Sequence, residues 1–204
     1  LHTPMIMQKK YAVIVTADRG PCYTVRWQQW ANLINTTAGG ECYMLVLDEP
    51  LYDEYLLAHA AVVVISRPFL QKHIDTLKAY ARLKKKFGFD LCVEMDDLLF
   101  SVQGKDVIPS WNPAPIDTAA VNVFYQEIKD KVDRWLPSTD FIAYALCKEF
   151  GIEPNKVEVL PNFCFTSCYW DEHKPTRKQK IDVWYGGSGC HFKEGAEGDF
   201  TGPW

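Results

Sequence analysis

The chain has 204 residues, of which 48% are hydrophobic and 14% aromatic, and its net charge is −4. This length provides for one sizeable domain, or for one domain and part of another, with enough apolar residues for a buried core. The mild net charge gives no indication of a polyanion-binding surface, although a local basic patch for nucleic acid is compatible with it. The one basic run, Lys84–Lys86, falls at the predicted end of a helix, where cations interact favourably with the helix dipole.

The cysteines are scattered and form no recognisable framework. There are seven, Cys22, Cys42, Cys92, Cys147, Cys164, Cys168 and Cys190. Cys164 and Cys168 form a C-x3-C pair, but no second Cys/His pair follows at zinc-ligand spacing, so no metal site is predicted. The odd count favours a reducing compartment. No segment resembles a signal peptide, and no run approaches the roughly 20 apolar residues of a membrane span. We therefore expect a cytoplasmic protein.

Short apolar segments rich in β-branched residues predict the strands of a sheet. They are Ala12–Val15, Tyr43–Leu47, Ala61–Ile65 and Leu91–Val93. Their continuous apolar character is typical of strands that are buried on both faces, as in parallel sheets. Further strands are predicted at Phe141–Ala145, Val157–Leu160 and Ile181–Tyr185.

Longer segments with apolar residues three and four apart predict helices between these strands. The three stripes are Trp27, Trp30, Ala31 and Ile34 after a capping Thr24; Leu70, Ile74, Leu77 and Ala81 up to Gly88; and Val121, Phe124, Ile128, Val132 and Trp135 between Asp117 and Pro137. Alternating strands and helices predict βαβ units with right-handed crossovers. The expected fold is therefore α/β, doubly wound, with a mainly parallel, Rossmann-like sheet. Ligands of such sheets bind beyond the carboxyl ends of the strands.

The loop after the first strand contains a Gly20-Pro21 turn that leads into a helix. A helix N-terminus presents free backbone N–H groups to an anion or a hydroxyl-rich ligand, and Arg19 and Arg26 add positive charge there. The loop is neither a dinucleotide fingerprint nor a P-loop, because it lacks G-x-G-x-x-G and Gly-Lys-Ser/Thr. An ordinary turn with solvated arginines is an equally good interpretation.

The segment after the fourth predicted strand, Glu94–Asp97, places three carboxylates close together. Such groups repel one another unless a cation or hydrogen-bond donors meet them. Asp96 and Asp97 can hold a divalent metal, accept hydrogen bonds from sugar hydroxyls, or act as a base. In the alternative, one of them caps the next helix and another pairs with an arginine. Their place at the end of a strand favours a functional role.

A glycine-rich turn, Gly186-Gly187-Ser188-Gly189, directly follows the last predicted strand and precedes His191. Glycines at such a place let a ligand approach the backbone closely. This turn is the second candidate binding loop.

In combination, several segments resemble the retaining GT-B glycosyltransferases. Asp140–Gly151 and Lys156–Asn162 resemble the end of their N-terminal domain, which closes on a V-x-P-N turn. Lys180–Ser188 resembles the first strand and glycine loop of their donor-binding domain. Val93–Asp97 resembles the E-x-D-D of a subgroup, and Gly20–Arg26 resembles their first loop.

The resemblance implies an acceptor-side domain in residues 5–162, a connector in 163–180, and the start of the donor-binding domain in 181–204. The donor-binding domain of the family carries a Glu-x7-Glu motif at a position beyond Trp204, so we expect the full-length product to continue for about 150 residues. The roles it implies are catalysis for Asp96 and Asp97; donor binding for Gly186, Gly187, Ser188 and His191; and acceptor binding for Arg19, Gly20 and Arg26.

The function implied by the resemblance is transfer of a sugar from a nucleotide-sugar donor to an acceptor hydroxyl, without a cofactor or a required metal. The partners are then the donor and an acceptor of unknown identity, peripheral contact with a membrane is compatible with the sequence, and nucleic acid is not expected. Two alternatives stay open because a fold does not fix a function. One is a non-enzymatic binding or scaffold module on the same sheet. The other is a nucleotide-binding enzyme that uses Asp96 and Asp97 with magnesium.

Overall fold

The structure, a computed structural model, describes residues 10–16, 23–39, 42–69, 71–102 and 117–162. These residues form one sheet of five strands: β1 (Tyr11–Thr16), β2 (Tyr43–Leu47), β3 (Ala60–Ser66), β4 (Asp90–Met95) and β5 (Arg134–Pro137). The strands lie in the order β2-β1-β3-β4-β5, and every neighbouring pair is parallel. The predicted α/β fold with a mainly parallel, Rossmann-like sheet is confirmed.

Helices connect the strands within the described ranges. A π-helical turn (Thr24–Gln28) runs into α1 (Gln29–Thr37), and the others are α2 (Glu54–His59), α3 (Gln71–Phe87), α4 (Thr118–Ile128) and α5 (Asp140–Phe150), before a short 3₁₀ turn (Pro154–Lys156). The Asp117 side chain accepts a hydrogen bond from the Ala120 N–H (3.0 Å), which confirms the predicted start of α4. Gly88 follows α3 with a φ of 69°, as its predicted stop requires.

The two faces of the sheet contribute to two hydrophobic cores. Val63 and Ile65 of β3 pack in one core with residues of α2, α3, α4 and α5. Val64, between them, packs on the other face with Trp27 and Ala31 from the π turn and α1. Because strand side chains alternate between faces, a strand covered on both sides has apolar residues at every position. This burial explains the continuous apolar runs of the sequence.

The basic run of α3 has the structural role that its position predicts. Lys84, Lys85 and Lys86 lie in the last turn of the helix. The Lys84 Nζ lies 2.6 Å from Asp133, and the Lys86 Nζ lies 2.6 Å from Glu54. Cations at a helix C-terminus also interact favourably with its dipole.

The third predicted helix is too long, because it ends at Ile128 and does not include Val132 or Trp135. Trp135 belongs instead to β5, where it pairs with Val93 and is fully buried. The spacing of these three residues continues a helical period, so the pattern alone does not separate the two structures. Pairing with the edge of β4 outweighs local propensity, since β5 satisfies backbone groups that would otherwise be buried without partners.

The predicted strand at Phe141–Ala145 is wrong, because these residues lie in α5. The Thr139 side chain accepts a hydrogen bond from the Ile142 N–H (3.3 Å) and so caps the helix. Phe141 is exposed whereas Ile142 and Ala145 are buried, as a helix with one apolar face requires. Five residues are too few to show this period in the sequence.

The predicted strand at Val157–Leu160 is present only as an extended segment beside β5. Val157 forms an isolated parallel bridge with Trp135, and the Leu160 N–H donates to the Pro137 carbonyl (2.8 Å). The predicted strand at Ile181–Tyr185, the connector and the start of the donor-binding domain lie outside the described residues.

Replacing Gly151 by alanine is expected to lower the free energy of unfolding by about 1 kcal/mol. Gly151 ends α5 with a φ of 64°, and a Cβ at this position meets no atom within 4 Å. The cost therefore comes from the backbone conformation and not from a clash. Urea denaturation measures the change, and Gly151→Asn serves as the comparison because asparagine tolerates this conformation better. An alanine variant as stable as the wild type would contradict the assignment.

Candidate functional site

A buried polar cluster lies at the carboxyl ends of β3 and β4, on the face covered by α1. Ser66 ends β3 and lies in register with Glu94 of β4, so their side chains are neighbours on the same face. The π turn of the first helix brings Arg26 and Trp27 over this pair. Single π turns are frequent at functional sites, because they redirect side chains within a helix.

The cluster is a continuous chain of hydrogen bonds and one ion pair. The Trp27 Nε1 donates to the Ser66 Oγ (3.1 Å), which donates to the Glu94 Oε2 (2.5 Å). The Arg26 Nη2 lies 2.6 Å from the Glu94 Oε1, and the side chains of this pair are only 3% and 1% exposed. Burial raises the pKa of Glu94 to about 7, although the Arg26 guanidinium acts in the opposite direction. A carboxyl group of this kind changes its charge near physiological pH.

Arg26 also connects the first helix to the segment beside β5. Its Nη1 donates to the Leu160 carbonyl (2.6 Å) and to the Asn162 Oδ1 (3.1 Å). The Arg26 guanidinium, to which the resemblance assigns acceptor binding, thus lies between Glu94 of β4 and the segment Leu160–Asn162. Its role toward a ligand stays a prediction.

Arg67 binds both aspartates that the sequence singles out. Its Nε lies 3.0 Å from the Asp96 Oδ1, and its Nη2 lies 2.7 Å from the Asp97 Oδ2. The Asp96 side chain is 5% exposed, whereas that of Asp97 is 56% exposed. Arg26 and Arg67 are therefore the cations that meet the three neighbouring carboxylates. The non-functional interpretation of this segment expects one carboxylate to pair with an arginine, and both aspartates do so.

The backbone of Arg67 has an uncommon conformation. Its φ is 50°, in the left-handed region, and its N–H donates to the Glu94 carbonyl (2.8 Å). For a residue other than glycine this conformation costs roughly 1–2 kcal/mol. Such residues persist where surrounding contacts hold them, and they are frequent at functional sites.

Two clefts adjoin at Ser66. The first, which we call the Arg67 cleft, is lined by Thr16, Tyr23, Arg26, Trp27, Ser66, Arg67 and Asp96. The second, the His73 cleft, is lined by Val15, Asp48, Glu49, Pro50, Ile65, Ser66, Lys72, His73 and Thr76. Both lie beside β1 and β3, where the strand order reverses and where ligands of doubly wound sheets bind.

His73 forms one wall of its cleft and is mostly buried. Its Nδ1 accepts a hydrogen bond from the Phe69 N–H (3.2 Å), just before the first turn of α3. Burial, with a smaller contribution from the neighbouring Lys72, lowers the pKa of His73 to about 4. The ring is therefore neutral at pH 7.

The contribution of His73 to stability is expected to disappear as the pH falls from about 6.5 toward 4. In this range the unfolded chain takes up a proton that the folded ring does not, so unfolding is favoured by acid. Urea denaturation between pH 4 and 8 should show a smaller acid loss in His73→Gln than in the wild type. His59→Gln controls for the loss of a histidine, and equal acid losses in His73→Gln and wild type would contradict this prediction.

The structure brings Arg26, Asp96 and Asp97 together at one edge of the sheet. The other predicted site residues, Arg19, Gly20, Gly186, Gly187, Ser188 and His191, lie outside the described residues. Sequence reasoning missed Ser66, Arg67, Asp48, Glu49 and His73. The sequence contains a signal for four of them. Ser66-Arg67 and Asp48-Glu49 each directly follow a predicted strand, and position after a strand is the criterion that identified Asp96 and Asp97.

Within the described ranges, no group of three or more His, Cys, Asp or Glu side chains could hold a metal ion. None of the described helices has the length and apolar character needed to cross a membrane. No protein-family model and no curated protein matches the chain.

Proposed function

We propose that the protein is a GT-B glycosyltransferase that moves a sugar from a nucleotide-sugar donor to an acceptor hydroxyl. The described domain would then be its acceptor side. The proposal is supported by the resemblance of Asp140–Asn162 and Lys180–Ser188 to this family and by the parallel sheet. The observation that carries it is the placement of Asp97, an exposed carboxylate fixed by Arg67 at the carboxyl end of β4.

The geometry suits a carboxylate that orients a hydroxyl group. The ion pair with Arg67 fixes one oxygen of Asp97, and this side chain is 56% exposed. A carboxylate within hydrogen-bond reach of an acceptor hydroxyl can orient it and accept its proton. The backbone amides of Gly186–Ser188 are the groups that the resemblance assigns to the leaving diphosphate, through electrostatic stabilisation.

The magnesium alternative is less well supported by the geometry. Arg67 contacts both Asp96 and Asp97 and so supplies the positive charge that a divalent cation would bring between them. The scaffold alternative is favoured by one observation, the buried position of Arg26 among contacts to Glu94 and Leu160. These contacts give Arg26 a role in stabilising the fold, and this role does not require the protein to catalyse a reaction.

A donor-turnover assay on the full-length protein tests the proposal. The protein is incubated with UDP-glucose, UDP-N-acetylglucosamine or GDP-mannose and a mixture of sugar acceptors, in EDTA or in magnesium. The released nucleoside diphosphate is measured against reactions without acceptor. Acceptor-dependent release in EDTA is expected. Release that requires magnesium would favour the metal-dependent alternative, and no release from any donor, with no binding of UDP or GDP, would favour the scaffold.

A further inference from the structure

The two edges of the sheet are protected in different ways. At one edge, β5 contains Arg134 and Pro137, and the extended segment of residues 157–160 lies along it, with the Glu158 N–H donating to the Trp135 carbonyl (2.9 Å). At the other edge, β2 pairs with β1 alone among the described strands and contains neither a charged residue nor a proline. Edge strands of this composition pair readily with strands of other chains. The β2 edge therefore needs a different form of protection.

The backbone groups of β2 alternate between the neighbouring strand and the outside of the sheet. The Tyr43 N–H donates to the Lys10 carbonyl, just before β1 (2.8 Å), so Tyr43 is directed toward that strand. In a ladder, a residue that bonds to one side is followed by a residue whose N–H and carbonyl point to the other side. Met44 and Val46 therefore direct their backbone groups away from the sheet, where a further strand would bind them.

Asn35, an exposed residue of α1, binds the outward groups of Met44. Its Nδ2 donates to the Met44 carbonyl (3.0 Å), and its Oδ1 accepts a hydrogen bond from the Met44 N–H (2.8 Å). A carboxamide has the same donor and acceptor as a peptide unit, so Asn35 makes the two bonds that a neighbouring strand would make. The helix is held in this position because Ala31 packs in the same core as Met44.

The strand that best matches this edge is β2 of a second copy. Two antiparallel β2 strands related by a twofold axis place Met44 of each copy opposite Val46 of the other, so that the outward groups of both residues are paired. The same register places the exposed Tyr43 side chain opposite Leu47. Because β2 contains no charged residue, no repulsion between the two strands opposes this arrangement.

We propose that the β2 edge is a self-pairing surface that Asn35 keeps closed, and that removal of its carboxamide converts the protein into a dimer whose sheet continues from one copy to the other. The proposal does not rest on the proposed function, because neither Asn35 nor Met44 lines the Arg67 cleft or the His73 cleft.

Sedimentation equilibrium of three variants and the wild type tests this proposal. Asn35→Ala leaves the outward groups of Met44 uncovered, and it is expected to dimerise about tenfold or more tightly than the wild type. Asn35→Asp also loses the bond to the Met44 carbonyl, but it places a charge at the edge and should associate no more tightly than the wild type. Asn32→Ala, at an exposed position of the same helix, is the matched control and should behave as the wild type.

Hydrogen exchange of the backbone amides locates the interface. In dilute Asn35→Ala, the Met44 N–H is expected to exchange about tenfold or more faster than in the wild type. At concentrations where the variant is a dimer, the N–H groups of Met44 and Val46 should both be protected. Circular dichroism establishes that each variant is folded. Asn35→Ser, whose side chain is too short to reach both groups, is expected to dimerise as well and replaces the alanine variant if that variant does not fold.

Four results would overturn the proposal. They are a folded Asn35→Ala protein that associates no more tightly than the wild type, an unchanged exchange rate of the Met44 N–H in that variant, a dimer in which Met44 and Val46 stay unprotected, and equally tight dimers of Asn35→Ala and Asn35→Asp. Each result is independent of the donor-turnover assay, because no donor or acceptor is present.

Discussion

Replacing Arg26 by methionine is expected to lower the free energy of unfolding by about 3 kcal/mol at pH 8. The substitution leaves the Glu94 carboxylate buried without the cation that lies 2.6 Å from it. It also removes the hydrogen bonds to Leu160 and Asn162. Urea denaturation of the purified variant measures the loss, with circular dichroism as the control for a folded starting state.

The loss should be smaller at pH 5 than at pH 8. Burial already raises the pKa of Glu94 to about 7, and removal of Arg26 raises it further. A group whose pKa is raised in the folded state binds a proton more readily there, so its contribution to stability is lost as the pH rises. At pH 5 the carboxyl group is neutral, and only the other contacts of Arg26 are missing.

A double variant separates the charge effect from the loss of packing. Arg26→Met combined with Glu94→Met replaces the buried pair by apolar side chains, which is often neutral or stabilising. We expect it to recover much of the stability that Arg26→Met loses at pH 8. A single variant with the same loss at pH 5 and pH 8 would show that the ion pair is not the cause.

Replacing Asp97 by asparagine is expected to lower kcat of the full-length enzyme by about 100-fold or more, with little change in melting temperature. The Asp97 side chain is 56% exposed in its pair with Arg67, and exposed pairs contribute about 1 kcal/mol or less. Acceptor-dependent release of nucleoside diphosphate and thermal unfolding are measured on the same preparations.

Glu158→Gln is the matched control for Asp97→Asn, since Glu158 forms an exposed pair with Arg134 (3.2 Å) and neither residue lines a cleft. It should change neither turnover nor melting temperature. Asp96→Asn is expected to be less stable than Asp97→Asn, because the Asp96 side chain is only 5% exposed. Wild-type turnover in a folded Asp97→Asn protein would exclude this residue from catalysis.

The sequence was sufficient to predict the first four strands and the fold class, because burial on both faces leaves a continuous apolar run such as Ala61–Ile65. It was not sufficient for β5. Trp135 continues a helical spacing from Ile128, and its strand exists because the edge of β4 offers backbone partners. The predicted strand at Phe141–Ala145 was wrong for a different reason. These residues lie in a helix with one buried face, and five residues are too few to show the helical period.

Only those residues of the candidate site that lie at or just after the end of a predicted strand, or near a predicted helix start, could be identified from the sequence. Asp96 and Asp97 were identified in this way, and Arg26 by its place near a helix start. Ser66 and Arg67 follow the same rule at the end of β3, but their pairing with the carboxylates after β4 was not predictable, because it depends on the register of β3 and β4. Long-range pairing of this kind leaves no local pattern in the sequence.

The contact between Arg26 and Leu160 joins residues that are 134 positions apart. During synthesis, the ribosome releases Arg26 and Glu94 long before the segment that follows α5. The carboxyl edge of the nascent sheet therefore stays incomplete until residue 162 has left the exit tunnel. Contacts with such large sequence separation form late and slow the folding of a domain. Chaperone dependence should accordingly be greatest for nascent chains in which β5 has left the tunnel and Leu160 has not.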